Sequence, residues 1–114
     1  MVTLELSVAI KDLLQSLGID AHTLALALCV NDRTVKRWLT GNEYPQKDAR
    51  KRLDDLTRLK EHLYETFSNA QAVQLWLRTD SRYLGGLKPV EALRGGRIDR
   101  VNAALIALDY GAFV

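Results

Sequence analysis

From Lys47 onward, apolar side chains recur at Leu53, Leu56, Leu59, Leu63 and Phe67, three or four residues apart. That spacing lines them up along one side of an α-helix; it does not suit a strand, where alternate residues share a face. Arg50, Lys51, Arg52, Asp54, Asp55, Arg58, Lys60 and Glu61 fill the rest of the circumference. Such alternation of sign is the usual salt-bridged solvent face, each pair contributing only about 0.2–0.5 kcal/mol. A helix this long reads as a strut. In a chain of 114 residues with 47% hydrophobic content, it leaves room for one compact domain, or for two small subdomains sharing a core.

The same period continues toward both ends, so an all-α fold is expected. Ser7 is the expected cap of a first helix running to about Leu17, with Ile10, Leu13, Leu14 and Leu17 as its buried stripe and Gly18 as its stop. Asp20 follows as the cap of a short second helix, Ala21 to Leu28, with its carboxylate on the amide of Thr23. Ile19 and Leu24 stand where a hydrophobic staple would. Cys29 and Val30 then make a tight turn, Asn31 or Asp32 caps a third helix ending near Thr40, and Gly41 and Pro45 mark the exit. Two short helices joined by such a turn form a helix-turn-helix unit.

The third helix has two chemistries. Val35, Trp38 and Leu39 share one arc, while Arg33, Thr34, Lys36 and Arg37 occupy the other. Arginine can hold guanine at two points in a major groove, and Lys or Thr can hold phosphates. An ordinary solvated face has the same composition, and Asp32 opposes a phosphate. Overall charge does not decide between these readings. The net charge is +2, well short of a general nucleic-acid coat, so any DNA contact must come from a local cluster.

Other chemistries are set aside on residue counts. A single cysteine, Cys29, allows neither an internal disulfide nor a Cys-rich zinc site, and His22 and His62 have no ligand spacing. Neither a cofactor nor a metal is expected. There is no nucleophile–base pair and no phosphate-cradling glycine loop; Gly85-Gly86 and Gly95-Gly96 lack the spacing and read as helix breaks. An enzyme is therefore not expected. The absence of a leader-like start and of any long apolar run points to a cytoplasmic protein with no membrane partner.

Beyond the strut, Ser68 and Gln71 have capping-box spacing, which starts a helix through Ala70, Val73, Trp76 and Leu77. Trp76 and Trp38 both read as core. Asp80 to Leu84 is a short turn or helix, and Pro89 fits the first turn of a short helix closed by Gly95-Gly96. Arg78, Arg82, Lys88, Arg94, Arg97 and Arg100 outnumber Asp80, Glu91, Asp99 and Asp109 in this part of the chain, mostly as a solvated surface. Ile98, Val101, Leu105 and Leu108 define the final helix, and Gly111 ends it. Ala112, Phe113 and Val114 follow. With nothing after them to cover them, they read either as an apolar plug seeking a socket or as a tail folded back on its own core.

Two resemblances sharpen this reading. Residues around RTVKRWLTG resemble the DNA-binding helix-turn-helix of Xre-like repressors, with one departure: Cys29 stands at a turn position usually held by glycine. A cysteine there must take an uncomfortable backbone conformation, or the turn must differ. From Ser68 to Val114 the chain resembles the toxin-binding domain of Xre/MbcA/ParS-type antitoxins. That likeness is carried by Trp76-Leu77, Tyr83-Leu84-Gly85-Gly86, Lys88-Pro89 with Ala92-Leu93, Gly96, Val101 and the ending Tyr110-Gly111-Ala112-Phe113-Val114.

The family resemblance implies a helix-turn-helix subdomain at 1–46, a connecting helix at 47–67 and a toxin-binding subdomain at 68–114. It implies an antitoxin that inhibits a RES-domain toxin, an NAD⁺-consuming protein, by docking at its active-site cleft. The toxin-binding residues would then be Tyr110, Gly111, Ala112, Phe113 and Val114. Physically, Phe113 would fill an apolar wall of a nucleotide pocket while the Val114 carboxylate meets cations. The resemblance also implies operator DNA as a second partner, through Arg33, Thr34, Lys36 and Arg37, and a homodimer. The competing expectation is a stand-alone helix-turn-helix repressor whose C-terminal half only dimerises.

Overall fold

The computed structural model describes residues 2–41 and 43–111, with side chains described from Glu5. The fold is all-α. Its helices are α1 (Val2–Leu17), α2 (Ala21–Leu28), α3 (Asp32–Thr40), α4 (Lys47–Phe67), α5 (Ala70–Leu77), α6 (Pro89–Arg94) and α7 (Ile98–Asp109). Among the described residues no helix is long and apolar enough to cross a membrane.

Buried side chains from every helix meet in one cluster. Ile10, Leu13, Leu24, Leu28, Val35, Trp38, Leu56, Leu59, Leu63, Val73, Leu77, Leu93, Val101 and Leu105 all belong to it. At 21 residues, α4 spans about 30 Å. Its Leu53–Leu63 line is buried, and Phe67 is half-buried beside Trp76 with ring centroids 5.9 Å apart.

Chain order and packing order differ. α1 packs on α3 and α4 but also on α5, and α2 packs on α3 and α6. Polar contacts follow those interfaces. Tyr64 donates its hydroxyl hydrogen to the Ser16 carbonyl at 2.7 Å, and Lys60 meets Asp12 at 2.8 Å, joining α4 to α1. Arg78 donates to the Gly18 carbonyl at 2.5 Å, so a side chain after α5 satisfies an acceptor just past the end of α1.

Two helix starts differ from the sequence expectation. Ser7 does not cap α1: the helix already runs from Val2, and the buried Ser7 hydroxyl donates to the Leu39 carbonyl at 2.8 Å, tying α1 to the end of α3. Ser68 does not start α5. It takes a left-handed conformation (φ 66°) and closes α4, with its N–H on the Tyr64 carbonyl at 3.0 Å. Asn69 is the cap instead, its side chain accepting from the Ala72 amide at 2.8 Å. Asparagine and serine both cap well, so the capping-box spacing could not say which of the two neighbours does it.

Candidate functional site

Two surfaces carry the residues that the sequence singles out. The first is the outer face of α3. Asp20 caps α2 as expected, accepting from the Thr23 amide at 2.8 Å, and this bond holds its carboxyl below the usual range. Cys29 ends α2 in the left-handed region (φ 58°, ψ 39°). The cysteine thus keeps the turn that glycine would make more easily and bears the strain of doing so. Asn31 is the α3 cap, accepting from the Thr34 amide at 2.9 Å.

On α3, Val35 and Trp38 are buried and Leu39 half-buried, while Arg33, Lys36 and Arg37 are exposed. The helical-wheel division therefore holds. Thr34 differs from its neighbours because its hydroxyl hydrogen goes to Asn31 Oδ1 at 3.0 Å, in support of the cap. Asp32 has a partner of its own: both its oxygens meet His22 Nδ1, at 2.9 and 3.0 Å. Arg37 has a loose partner in Glu43 at 3.5 Å, the two groups being largely exposed. The face thus presents three cations on one rigid, short helix.

The second surface is the end of α7. Ile98, Val101, Ala104 and Leu105 are buried, Leu108 is half-buried, and Tyr110 is 85% exposed. Gly111 is left-handed (φ 76°) with open space around it. Ala112, Phe113 and Val114 lie outside the described residues. Asp109, the last residue of α7, accepts from His62 Nε2 at 2.5 Å and from Thr66 Oγ1 at 3.0 Å. The His62 bond is the main reason its carboxyl lies below the ordinary carboxylate range. These three residues are 43 and 47 positions apart in the chain, so no local pattern marks them.

Between the surfaces lies the segment that holds the antitoxin-like motif. Leu84 is buried, while Gly85 (φ 70°) and Gly86 (φ 96°) are left-handed with nothing near a would-be Cβ. Those glycines serve the backbone path. The loop closes with Ser81 N–H on the Leu87 carbonyl at 2.9 Å and Gly86 N–H on the Ser81 carbonyl at 2.8 Å. Pro89 opens α6, and the Lys88 N–H donates to Glu91 at 2.8 Å. Gly96 (φ 74°) is different: a Cβ there would sit 2.9 Å from Cys29 Sγ, where the α6–α7 turn touches the α2–α3 turn. A groove of about 950 Å³ opens beside this contact. Its charges largely neutralise one another, since Lys51 pairs with Asp55 and Arg97 with Asp99.

A small helical scaffold with one cationic face and one exposed, apolar helix end is the build of a binding protein. Comparison with known proteins agrees. Residues 62–111 match the C-terminal toxin-binding domain of Xre/MbcA/ParS antitoxins. A probable mycobacterial cidal antitoxin of Mycobacterium tuberculosis is 32% identical over 106 residues, covering 92% of this chain and 89% of that protein. The mycobacterial cidal antitoxin MbcA of Mycobacterium bovis is 28% identical over 109 residues, 96% of either chain. A chain in the crystal structure of the M. tuberculosis MbcT–MbcA toxin–antitoxin complex has the same fold, with a TM-score of 0.67 and 28% identity over 96% of this chain and 97% of that one. The protein belongs to the Xre/MbcA/ParS-type antitoxin family.

Proposed function

We propose that this antitoxin neutralises a RES-domain toxin, an NAD⁺-consuming protein of the cytoplasm, by laying Tyr110, Gly111, Ala112, Phe113 and Val114 across the toxin's active-site cleft. The observation that carries this reading is the exposed Tyr110 at the end of a firmly seated helix, immediately before four more small or apolar residues. A large aromatic left uncovered by its own fold is a typical anchor for a partner's pocket. The left-handed Gly111 lets the backbone change direction there. Occupation of the cleft then excludes NAD⁺ sterically, and the antitoxin itself needs no catalytic group.

The chain divides by task in this reading. Residues 68–114 meet the toxin, 47–67 connect, and 1–46 bind operator DNA as a homodimer through Arg33, Thr34, Lys36 and Arg37. Support for DNA binding comes from the outward cations of α3 and from Asp32 being occupied by His22. A chain ending at Gly111 tests the central reading. Mixed with the toxin encoded beside it, this truncation should fail to stop NAD⁺ loss at concentrations where the full chain stops it. Complete inhibition by the truncation would refute the plug.

A further inference from the structure

Both oxygens of Asp109 are held by α4, from His62 and Thr66, which stand one helical turn apart. Nothing in α7 itself favours a carboxylate at this position. The C-terminal end of a helix is the negative end of its dipole and disfavours an anion. The compensation comes from the two donors of α4. Among the described residues beyond Leu108, Tyr110 is exposed and a Cβ on Gly111 would meet nothing within 4 Å. The last described turn is closed by backbone bonds alone, Tyr110 N–H on Ile106 at 3.2 Å and Gly111 N–H on Leu108 at 2.9 Å. Among the described residues, Asp109 is therefore the last side chain tied to the body of the protein.

We propose that His62, Thr66 and Asp109 form a latch that fixes the direction in which the chain leaves α7, making Asp109 a positioning residue for toxin inhibition. This rests on the reading that residues 110–114 cover the toxin's cleft. A carboxylate only accepts, so His62 presents Nε2–H to it, and Thr66 supplies the second hydrogen. Two bonds to one planar group set both the position and the rotation of the last turn. A segment already ordered loses less freedom on docking than one that must first find its angle. Ile106 and Tyr110, four residues apart and both exposed, are then held as one stripe facing the partner.

The test uses full chains carrying Asp109→Asn, Thr66→Val or Thr66→Ser, with the toxin encoded beside the antitoxin. In the free protein, amide exchange at Tyr110 and Gly111 should quicken about tenfold in Asp109→Asn and Thr66→Val, as expected when a terminal turn opens locally. Exchange at Val101 to Leu105 should not change. The concentration giving half-inhibition of NAD⁺ loss should rise about tenfold in the same two variants, the scale of re-immobilising one or two side chains. Thr66→Ser, which keeps the hydroxyl, should behave as the parent in both measurements. Unchanged exchange at 110 and 111 overturns the latch. Quickened exchange with undiminished inhibition overturns its positioning role, provided the Gly111 truncation is defective. A fully inhibitory truncation instead overturns the cleft-covering reading, and this proposal with it.

Discussion

The face of α3 and the end of α7 are carried by one core, yet they offer opposite chemistry. On α3, buried Val35 and Trp38 seat the helix, and everything pointing outward is cationic or polar. Its one outward acid, Asp32, is occupied by His22. At α7 the burial runs out before the helix does, leaving Ile106 and Tyr110 uncovered and the acid of the last turn, Asp109, bonded inward to α4. In each region a histidine on another helix takes up an acid that would otherwise spoil the surface. The first surface suits a polyanion; the second suits an apolar, enclosed cleft. α4 contacts both α2 and α7, so the two surfaces can be altered separately only by changes that leave this shared support intact.

The harshest way to break the comparison is to attack that support. Leu56 is fully buried on α4, and Leu56→Ala should cost about 2–5 kcal/mol by urea unfolding, abolishing both surfaces together. Gly96→Ala should come next, at about 1–3 kcal/mol: it forces a side chain into a left-handed φ and against Cys29. Loss of one surface with the other intact in that variant would mean the two turns are not a structural joint.

Charge changes separate the regions. Arg33→Ala with Arg37→Ala should weaken operator binding about tenfold or more and lower the salt slope by about one per lost phosphate contact, measured by anisotropy across a salt series. NAD⁺ protection against the toxin should be unaffected. Unchanged operator affinity would make α3 a scaffold only.

The smallest effect is an acid limb. Asp20, held by the Thr23 amide, and Asp109, held by His62, both have carboxyls below their ordinary range. Groups depressed on folding stabilise the protein above the unfolded carboxylate pKa of about 4, and this stabilisation is lost as pH falls through the lower folded values. Urea midpoints should therefore drop between pH 7 and acid pH, and less so in Asp20→Asn and Asp109→Asn. Asp20→Ala should also cost about 1 kcal/mol at pH 7 through the lost cap. An identical acid limb in both Asn variants and the parent would remove these carboxylates from the account.

Much of the N-terminal half was legible in linear order because its determinants are local. Asp20 with Thr23, a cap at Asn31 or Asp32 (the structure uses Asn31) and the Val35/Trp38 seat all act within one or two turns. Cys29 is instructive, since its departure from glycine was visible but only the backbone shows that the left-handed turn persists. Ser7 and Ser68 misled for a related reason. A serine's hydroxyl commits to a cap, a distant carbonyl or solvent according to what packs beside it, and the Leu39 carbonyl that takes Ser7 is 32 residues away.

What the sequence determined by itself was the helical period, the stops at Gly18, Gly41 and Gly111, and the split faces of α3, because backbone preference and side-chain spacing are properties of neighbours. Tertiary structure alone decided that α1 lies on α5 and α2 on α6, and that His62 and Thr66 close on Asp109. Those pairings arise where apolar stripes from distant segments meet in one core, and a polar bond between two helices exists only once both are in place.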